Sequence, residues 1–408
     1  MSRSPVVGLD VGTTKICTVV AEVTEPGDAQ ILGVGVSRSL GLKKGIVVDV
    51  EDTVRSIRAS VAEAERMAGT EVRSVIAGIT GSHVSSMNTR GAVAVAGDDN
   101  GISGSDVQRV MEAASVVVIP PDRQVIHAVP RGFTVDGQDG VRRPIGMFGS
   151  RLEVEMHLVT GLRAFIDNVA QCVEGAGLDL ERLVMEPIAT GEAVATPAEL
   201  ELGVAIVDIG GGTTDVALFG EGSIGYSAAI PIAGNHVTYD LAVGVRTPTE
   251  EAERIKLTQA TVAIDTVGNE EHVEIRAPGS AERRLVPRRL VAEIVLSRQR
   301  ELLELVKSEL TASGLVDRLA SGVVLTGGGA LLHGTRKLAE QVLELPVRIG
   351  LPLDVRGMSS SVNSPIFATG VGLVRFGVRH PETRSQTPAP VAFAQSAWDR
   401  LRALFRMG

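Results

Sequence analysis

A carboxylate, two threonine hydroxyls and a lysine fall within six residues at Asp10-Val11-Gly12-Thr13-Thr14-Lys15, between the apolar runs Val6-Val7 and Ile16 to Val23. The pattern predicts a strand that turns through small and hydroxyl residues into a second strand. Hydroxyls, an ammonium and backbone amides beside glycine are groups suited to holding a metal-bound phosphate chain. A tight hairpin with no ligand accounts for the same residues. Val204-Ala205-Ile206-Val207 shifts that balance by leading into Asp208-Ile209-Gly210-Gly211-Gly212-Thr213-Thr214-Asp215 and then Val216 to Phe219. The order of parts is the same: apolar strand, Asp, glycine, Thr-Thr, a charged residue, apolar strand. A third glycine turn, Thr326-Gly327-Gly328-Gly329-Ala330, follows Val323-Val324-Leu325. Two similar halves, each presenting a hairpin to a shared cleft, are implied.

Two further carboxylates stand where chemistry is conceivable. Glu186 precedes Pro187 after the apolar Leu183-Val184-Met185, so it opens a helix whose first position needs no amide hydrogen. It either aims at a metal or a water, or is a solvated carboxylate at a helix start. Thr249 reads as a helix cap, and Glu253 and Lys256 share a face of the helix that follows. They form either an ordinary charge pair or a polar clamp over a nucleotide base. The seven histidines and two cysteines form no metal-binding or nucleophile motif. Walker A spacing and a dinucleotide G-x-G-x-x-G with its acidic partner are also absent.

The elements that must position these groups are legible in outline. Strands are predicted at Ile31–Val36, Gly45–Val48 and Val75–Ile79, and a helix at Val50–Met67 with Val54, Ile57 and Val61 on one face. Residues from about 85 to 160 have a different texture: a helix near Ser105–Ala114, then alternating runs at Val125–Val135 and Leu152–Val159. They read as a small α/β insertion, serving either as a contact module or as structural elaboration. A helix follows at Leu162–Ala176. Residues 290–310 give a long helix with the apolar stripe Leu290, Val291, Ile294, Val295, Leu302, Leu303, Val306 and Leu310, which core packing explains. Ser364 to Gly372 supply a small-residue helix start where two domains can pack closely.

Composition narrows the function classes. At 408 residues the chain is long enough for several domains, and 44% apolar content argues for packed α/β structure. Forty basic against 49 acidic residues give a net charge of −9, which offers no support for broad nucleic-acid binding. Cys17 and Cys172 are too few for a disulfide framework and fit a reducing compartment. No signal-peptide pattern and no uncharged run of membrane-spanning length is evident.

The carboxyl-terminal end is set apart. Pro381 to Pro390 are rich in proline and small polar residues and read as a linker. Beyond it Trp398, Leu401, Leu404 and Phe405 share one helical face, with Asp399, Arg402 and Arg406 largely opposite and Arg400 on a flank. Basic residues beside a bulky apolar face suit an anionic membrane surface. Docking on the chain's own domains or in a partner's groove is the other reading. A helix this short is marginal in water, so lipid must supply its folding, and several copies held together multiply a weak grip.

These motifs resemble the actin, Hsp70 and sugar-kinase superfamily of ATP-binding proteins. Over essentially the whole chain their order is similar to the FtsA family of bacterial cell-division proteins. Gly8 to Lys15 match its first phosphate motif, Asp208 to Asp215 the second, and Thr326 to Gly329 the adenosine motif. Glu186-Pro187-Ile188-Ala189 and Ala368-Thr369-Gly370 resemble the two interdomain connectors. The insertion, with Pro144-Ile145-Gly146-Met147 and Leu152-Glu153-Val154, and the amphipathic tail make the likeness specific.

The resemblance implies an α/β, actin-like (ribonuclease H-like) duplicated fold with an FtsA-type inserted subdomain. It implies a first core subdomain at 1–84 continued at 161–195, the insertion at 85–160, and a second core subdomain at 196–225 continued at 311–380. A nucleotide-clamping and partner-binding subdomain at 226–310, a linker at 381–395 and a membrane-targeting helix at 396–408 complete it. ATP or ADP with Mg²⁺ would be held by Gly12, Thr13, Thr14 and Lys15, by Gly210, Gly211, Gly212, Thr213 and Thr214, and by Gly327, Gly328 and Gly329. Asp10 and Asp208 would orient the metal through its waters, Glu253 and Lys256 would contact adenine or ribose, and Glu186 would orient a water for at most slow hydrolysis. By the same resemblance, the protein self-assembles on the cytoplasmic face of the membrane at the division site. There it binds the carboxyl-terminal peptide of FtsZ, helps recruit later divisome membrane proteins, and binds no nucleic acid. A soluble small-molecule kinase or ATPase of the same superfamily is the alternative.

Overall fold

Only Gly12, Thr13 and Thr14 separate the strands Val6–Val11 and Lys15–Glu25, and these pair antiparallel from Val6 opposite Ala21 to Val11 opposite Ile16. The computed structural model in which this hairpin is seen describes residues 5–25, 27–96, 100–277, 279 and 283–381. The segment from 382 onward, which holds most of the expected linker and all of the amphipathic helix with Trp398 and Phe405, lies outside them. Among the described residues no helix is long and apolar enough to cross a membrane.

Asp28–Arg38 extends the hairpin antiparallel on one side, while Ser74–Ile79 and Asp179–Met185 add in parallel on the other. The second half repeats the scheme. Val204–Ile209, Thr214–Gly220 and Ser223–Ile230 run antiparallel in turn, and Val323–Thr326 and Val347–Ile349 add in parallel beside the first of them. The duplicated α/β, actin-like plan is therefore present in both sheets. In the first, helix Val50–Ala68 is capped by Asp49, buries Ile57, Val61 and Ala64, and ends at Gly69 in the left-handed region that favours glycine.

Two helices, Glu186–Val194 and Ala368–Arg379, lie between the halves. A buried cluster that includes Val19, Ala189, Ala193, Ile206, Val324 and Leu373 joins them to both sheets. Their closest approach is at Gly372, where a methyl group would sit 1.9 Å from the Ala189 carbonyl oxygen. The small residues at 364–372 thus do provide a close crossing; a single 3₁₀ turn, Pro365–Phe367, precedes the helix.

The inserted unit is a separate four-stranded sheet in the order Ser85–Ala94, Arg151–Leu162, Arg123–Val135, Gln138–Val141, with helix Gly104–Ser115 over one face. It covers an edge strand of each main sheet. On the first, the Met185 amide donates to His127 Nε2 at 3.0 Å. On the second, Asn88 Nδ2 donates to the Gly225 carbonyl at 2.9 Å and Ser86 Oγ to that of Ser227 at 2.8 Å. His157, 1% exposed, bridges Asn88 Oδ1 (2.8 Å) and Ser227 Oγ (3.0 Å). Side chains thereby occupy backbone groups that an open edge would offer to another chain.

Two local expectations change. Thr249 is the first residue of helix Thr249–Thr258 and caps nothing; Pro248 holds the cap position, its carbonyl accepting from the Glu251 and Ala252 amides. The long helix spans Arg288–Ala312, and its buried face is narrower than the sequence stripe, since Leu290 is 38% exposed and Ile294 half-buried. The same face carries Gln299, which is buried.

Two outcomes follow from these contacts. Alanine ordinarily favours a helix over glycine by about 1 kcal/mol, but Gly372→Ala is expected to destabilise by about 2–3 kcal/mol because the two central helices must part. Gly104→Ala, at the start of helix Gly104–Ser115 and meeting nothing within 4 Å, serves as the control in urea unfolding and should leave stability unchanged or raise it. Burial, with the Arg131 guanidinium nearby, lowers His157 from 6.5 to about 4. The unfolded chain then binds the extra proton first, so stability falls as pH drops through that window, by on the order of 3 kcal/mol. The difference in unfolding free energy between the parent and His157→Gln, followed from pH 7 to pH 4, should carry that slope.

Candidate functional site

Between the halves lies a cavity of about 350 Å³. The first hairpin contributes Asp10, Gly12, Thr13, Thr14 and Lys15 to its lining; the second contributes Asp208, Gly210, Gly211, Gly212, Thr213 and Asp215. Gly327, Gly328 and Gly329, with Glu186, Glu253 and Lys256, complete the residues expected from sequence. Thr214 is the exception. Successive residues of an extended chain face opposite ways; Thr213 lines the cavity, while Thr214 is fully buried and donates its hydroxyl to the Ile232 carbonyl at 2.8 Å.

Glycine is required where the turns meet. A methyl group on Gly211 would lie 2.2 Å from the Thr14 side chain, and one on Gly212 would lie 2.4 Å from that of Thr13. At Gly327 the backbone is left-handed (φ 80°) and a methyl group would fall 2.1 Å from Asp208 Oδ1. Close approach of backbone, rather than turn formation alone, sets these residues.

The floor of the cavity is crowded with negative charge. Asp10, Glu186 and Asp215 are at most 8% exposed and Asp208 is half-buried. One ammonium compensates directly: Lys15 Nζ lies 2.5 Å from Asp10 Oδ2. Burial opposes the charge on Lys15, but Asp10, Cys17 and Asp208 together more than offset it, and the pKa of Lys15 is raised. Burial, with Asp10 beside it, lifts Asp208 to about 6; burial, with Asp208 and Asp10 nearby, lifts Asp215 to about 7. Glu186 is raised well above the usual carboxylate range by burial and by its neighbours Asp10, Asp215 and Asp208. A solvated helix-start carboxylate is therefore excluded for Glu186.

Hydroxyls fix the carboxylates in place. Thr190 on one central helix and Thr369 on the other both donate to Asp208 Oδ2, at 3.3 and 3.1 Å. Thr80 donates to Asp215 from the first half, and Thr213 Oγ1 lies 3.4 Å from its other oxygen. Gly45, whose amide donates to Thr13 Oγ1 at 2.9 Å, closes the first hairpin from outside.

Among the described residues no three His, Cys, Asp or Glu side chains converge to hold a metal ion directly. The uncompensated carboxylates instead fit a cation that keeps its waters, as Mg²⁺ does when carboxylates and phosphates share it. On helix Thr249–Thr258, Lys256 Nζ lies 2.7 Å from Glu253 Oε2 and donates to Thr238 Oγ1 at 2.9 Å and to the Gly234 carbonyl at 3.2 Å, while Glu253 also accepts from Thr238. The pair is the ordinary i,i+3 charge pair of one sequence reading, and it lines the cavity. Leu257 and Leu331, 72% and 56% exposed, give the cavity an apolar rim.

Sequence reading left out Asp215, Thr80, Thr190, Thr369 and Gln299. Asp215 carried a signal, since it follows the Thr-Thr pair of the second motif as Lys15 follows that of the first. Thr369 stood in the connector motif Ala368-Thr369-Gly370 but without a role, and Thr80 and Thr190 carried no signal, because only the fold brings them to the carboxylates.

Lys15→Ala should strip Asp10 of its partner and destabilise by about 2 kcal/mol in denaturant unfolding at pH 7. For Asp215 the folded pKa lies above the unfolded 3.8, so its share of stability is present at low pH and lost as pH rises toward about 7. This slope opposes that of His157. Asp215→Asn should remove it, leaving the ligand-free protein more stable at pH 7 relative to pH 4 than the parent.

Comparison with known proteins follows the same geometry. A family model described as "Cell division protein FtsA" matches residues 205–372, and one described as "SHS2 domain inserted in FTSA" matches residues 81–160. The cell division protein FtsA of Pseudomonas aeruginosa is 43% identical over 378 residues, covering 93% of this chain and 90% of that protein. That of Escherichia coli K12 is 35% identical over 404 residues, covering 97% and 96%. Among solved structures, the PilM–PilN type IV pilus biogenesis complex matches with a TM-score of 0.66 at 17% identity, covering 91% of this chain and 98% of that one. MreB5 of Spiroplasma citri bound to ADP matches at 0.55 and 15%, covering 94% and 100%. At such identities these structural likenesses speak to the fold alone.

Proposed function

The chain belongs to the FtsA family of cell-division proteins, and from that premise we propose that it is a nucleotide-governed tether and scaffold of the division machinery. In this reading it binds ATP or ADP with Mg²⁺ in the cleft and self-assembles as an actin-like filament or oligomer. It lies on the cytoplasmic face of the cell membrane, peripherally, at the division site. It ties the FtsZ ring to that membrane through the FtsZ carboxyl-terminal peptide and helps recruit later divisome membrane proteins.

The observation that carries the nucleotide part is the meeting of two phosphate-type hairpins and a glycine turn on one cavity with an excess of carboxylates. Lys15 and the Thr13, Thr14 and Thr213 hydroxyls would hold phosphate oxygens, while Asp10 and Asp208 would meet the metal through its waters. Gly327 to Gly329 would let the sugar approach the backbone. Bound Mg²⁺ would supply neutralisation of phosphate charge. Glu186 would orient a water for at most a slow ATPase reaction.

The remaining parts rest on segments of the chain. The core subdomains would be 1–84 with 161–195 and 196–225 with 311–380, with the insertion at 85–160 meeting later partners. The FtsZ peptide would meet 226–310. The tail at 396–408, on its linker at 381–395, would lay Trp398, Leu401, Leu404 and Phe405 into lipid, with Arg400, Arg402 and Arg406 toward anionic headgroups.

Co-pelleting with acidic liposomes, with and without Mg·ATP, tests the tether. The full chain should pellet, more so with ATP and at higher protein concentration; a chain cut before Pro388, or one with Trp398 and Phe405 replaced by Glu, should stay in solution while keeping its ATP affinity. Equal pelleting of full and truncated chains would sink the membrane role. Loss of ATP binding in the double Glu variant would contradict a separable tail.

A further inference from the structure

The long helix Arg288–Ala312 buries Val291, Ala292, Val295, Leu302, Leu303, Val306 and Leu310, and in the middle of that face it buries a carboxamide, Gln299. Gln299 is 2% exposed, and its Nε2 is buried with no hydrogen-bond partner. A leucine there would complete the stripe and leave no donor unmet. Yet Gln299 lines the cavity, in company with Val237, Glu253, Lys256, Leu257 and Leu332.

The lining residues differ in chemistry. Asp10, Lys15, Asp208 and Asp215 gather with the hydroxyls of the two hairpins, which suits phosphate and cation. Lys256 and Glu253 balance each other as an ion pair, and the aliphatic Val237, Leu257, Leu331 and Leu332 supply much of the remaining wall. A flat apolar ring with a polar edge fits such a wall, and the lining residue with a buried, unpaired side-chain donor is Gln299.

We infer that Gln299 is a specificity-determining residue that reads the nucleobase and selects adenine; the inference rests on the nucleotide reading of the cleft. A carboxamide carries a donor beside an acceptor. Adenine presents the complement, an amino donor next to a ring-nitrogen acceptor, which glutamine engages with both atoms. Nε2 donates to the ring nitrogen and Oε1 accepts from the 6-amino group. The ring nitrogen is N7: on that edge guanine presents two acceptors, O6 and N7, so Oε1 faces a lone pair in either orientation of the carboxamide, and a purine without the 6-amino group leaves Oε1 unpaired. Selectivity then comes from buried polar groups that the wrong base cannot satisfy.

The test compares ATP, GTP and purine riboside triphosphate by calorimetric titration of the full chain in Mg²⁺ buffer. The proteins are the parent, Gln299→Leu, the near-isosteric Gln299→Met, and Lys15→Ala as a control among the hairpin residues. The parent should prefer ATP to either analogue by about tenfold or more. Gln299→Leu and Gln299→Met should weaken ATP by about tenfold and bring the three ligands within about threefold of one another. Lys15→Ala should weaken all three alike. Melting temperatures give a separate readout: removing an unmet buried donor should leave the ligand-free variants as stable as the parent or more so, whereas a purely structural Gln299 requires them to melt lower. If the parent binds no ATP, or Lys15→Ala leaves binding unchanged, the nucleotide reading of the cleft falls and this inference with it. If Lys15→Ala weakens ATP while both Gln299 variants keep the parent's affinity and base preference, only the assignment of Gln299 is overturned.

Discussion

Repulsion among Asp10, Glu186, Asp208 and Asp215 is the force against which the centre of this molecule is built. Asp10 and Asp208 lie near the ends of strands, Asp215 near the start of one and Glu186 at the opening of a helix, and three separate segments of the chain carry them to the same cavity. Burial and mutual proximity raise three of them above the ordinary carboxylate range, so the ligand-free cleft holds protons that exposed carboxylates would release. A site of this kind stores a preference for cations and for the groups that bring them.

The elements around the cleft make that preference mechanical. Asp208 is held by hydroxyls from both central helices, Thr190 on one and Thr369 on the other, which also lie 3.1 Å apart. These helices cross against backbone at Gly372, so their spacing has little freedom. A change of charge at Asp208 is thereby felt at the junction of the halves. On the far side the inserted sheet holds an edge of each main sheet, through His127 on the first and Asn88, Ser86 and His157 on the second. The insertion thus bridges the two halves although it contributes nothing to the lining of the cleft.

The two halves share a plan but not their chemistry. Lys15 and Asp215 each follow a Thr-Thr pair, but the registers differ: Asp215 stands opposite Asp208, whereas Cys17 stands opposite Asp10, and the fold sets an ammonium from the first hairpin and a carboxyl from the second on one cavity. A symmetric pair of lysines would leave Asp215 without its role as a neighbour of Asp208, and a symmetric pair of aspartates would remove the single ammonium that balances Asp10.

The sequence by itself determined the duplicated strand–turn–strand motifs, the glycines that let them turn, the long helix and the presence of an insertion, because each depends on spacing within a few residues. It also marked Glu186 and the Glu253–Lys256 pair without deciding between their readings. Tertiary structure alone decided which of the two threonines in the second hairpin reaches the cavity, since strand alternation sends Thr213 inward and spends Thr214 on Ile232. It alone brought Thr80 to Asp215 and Thr190 and Thr369 to Asp208, and it turned Gln299 from one more position on a helix into an unmet donor at the cavity wall. These are contacts between distant parts of the chain, and burial, which sets the charge states and the demand for partners, exists only once the two halves have closed around them.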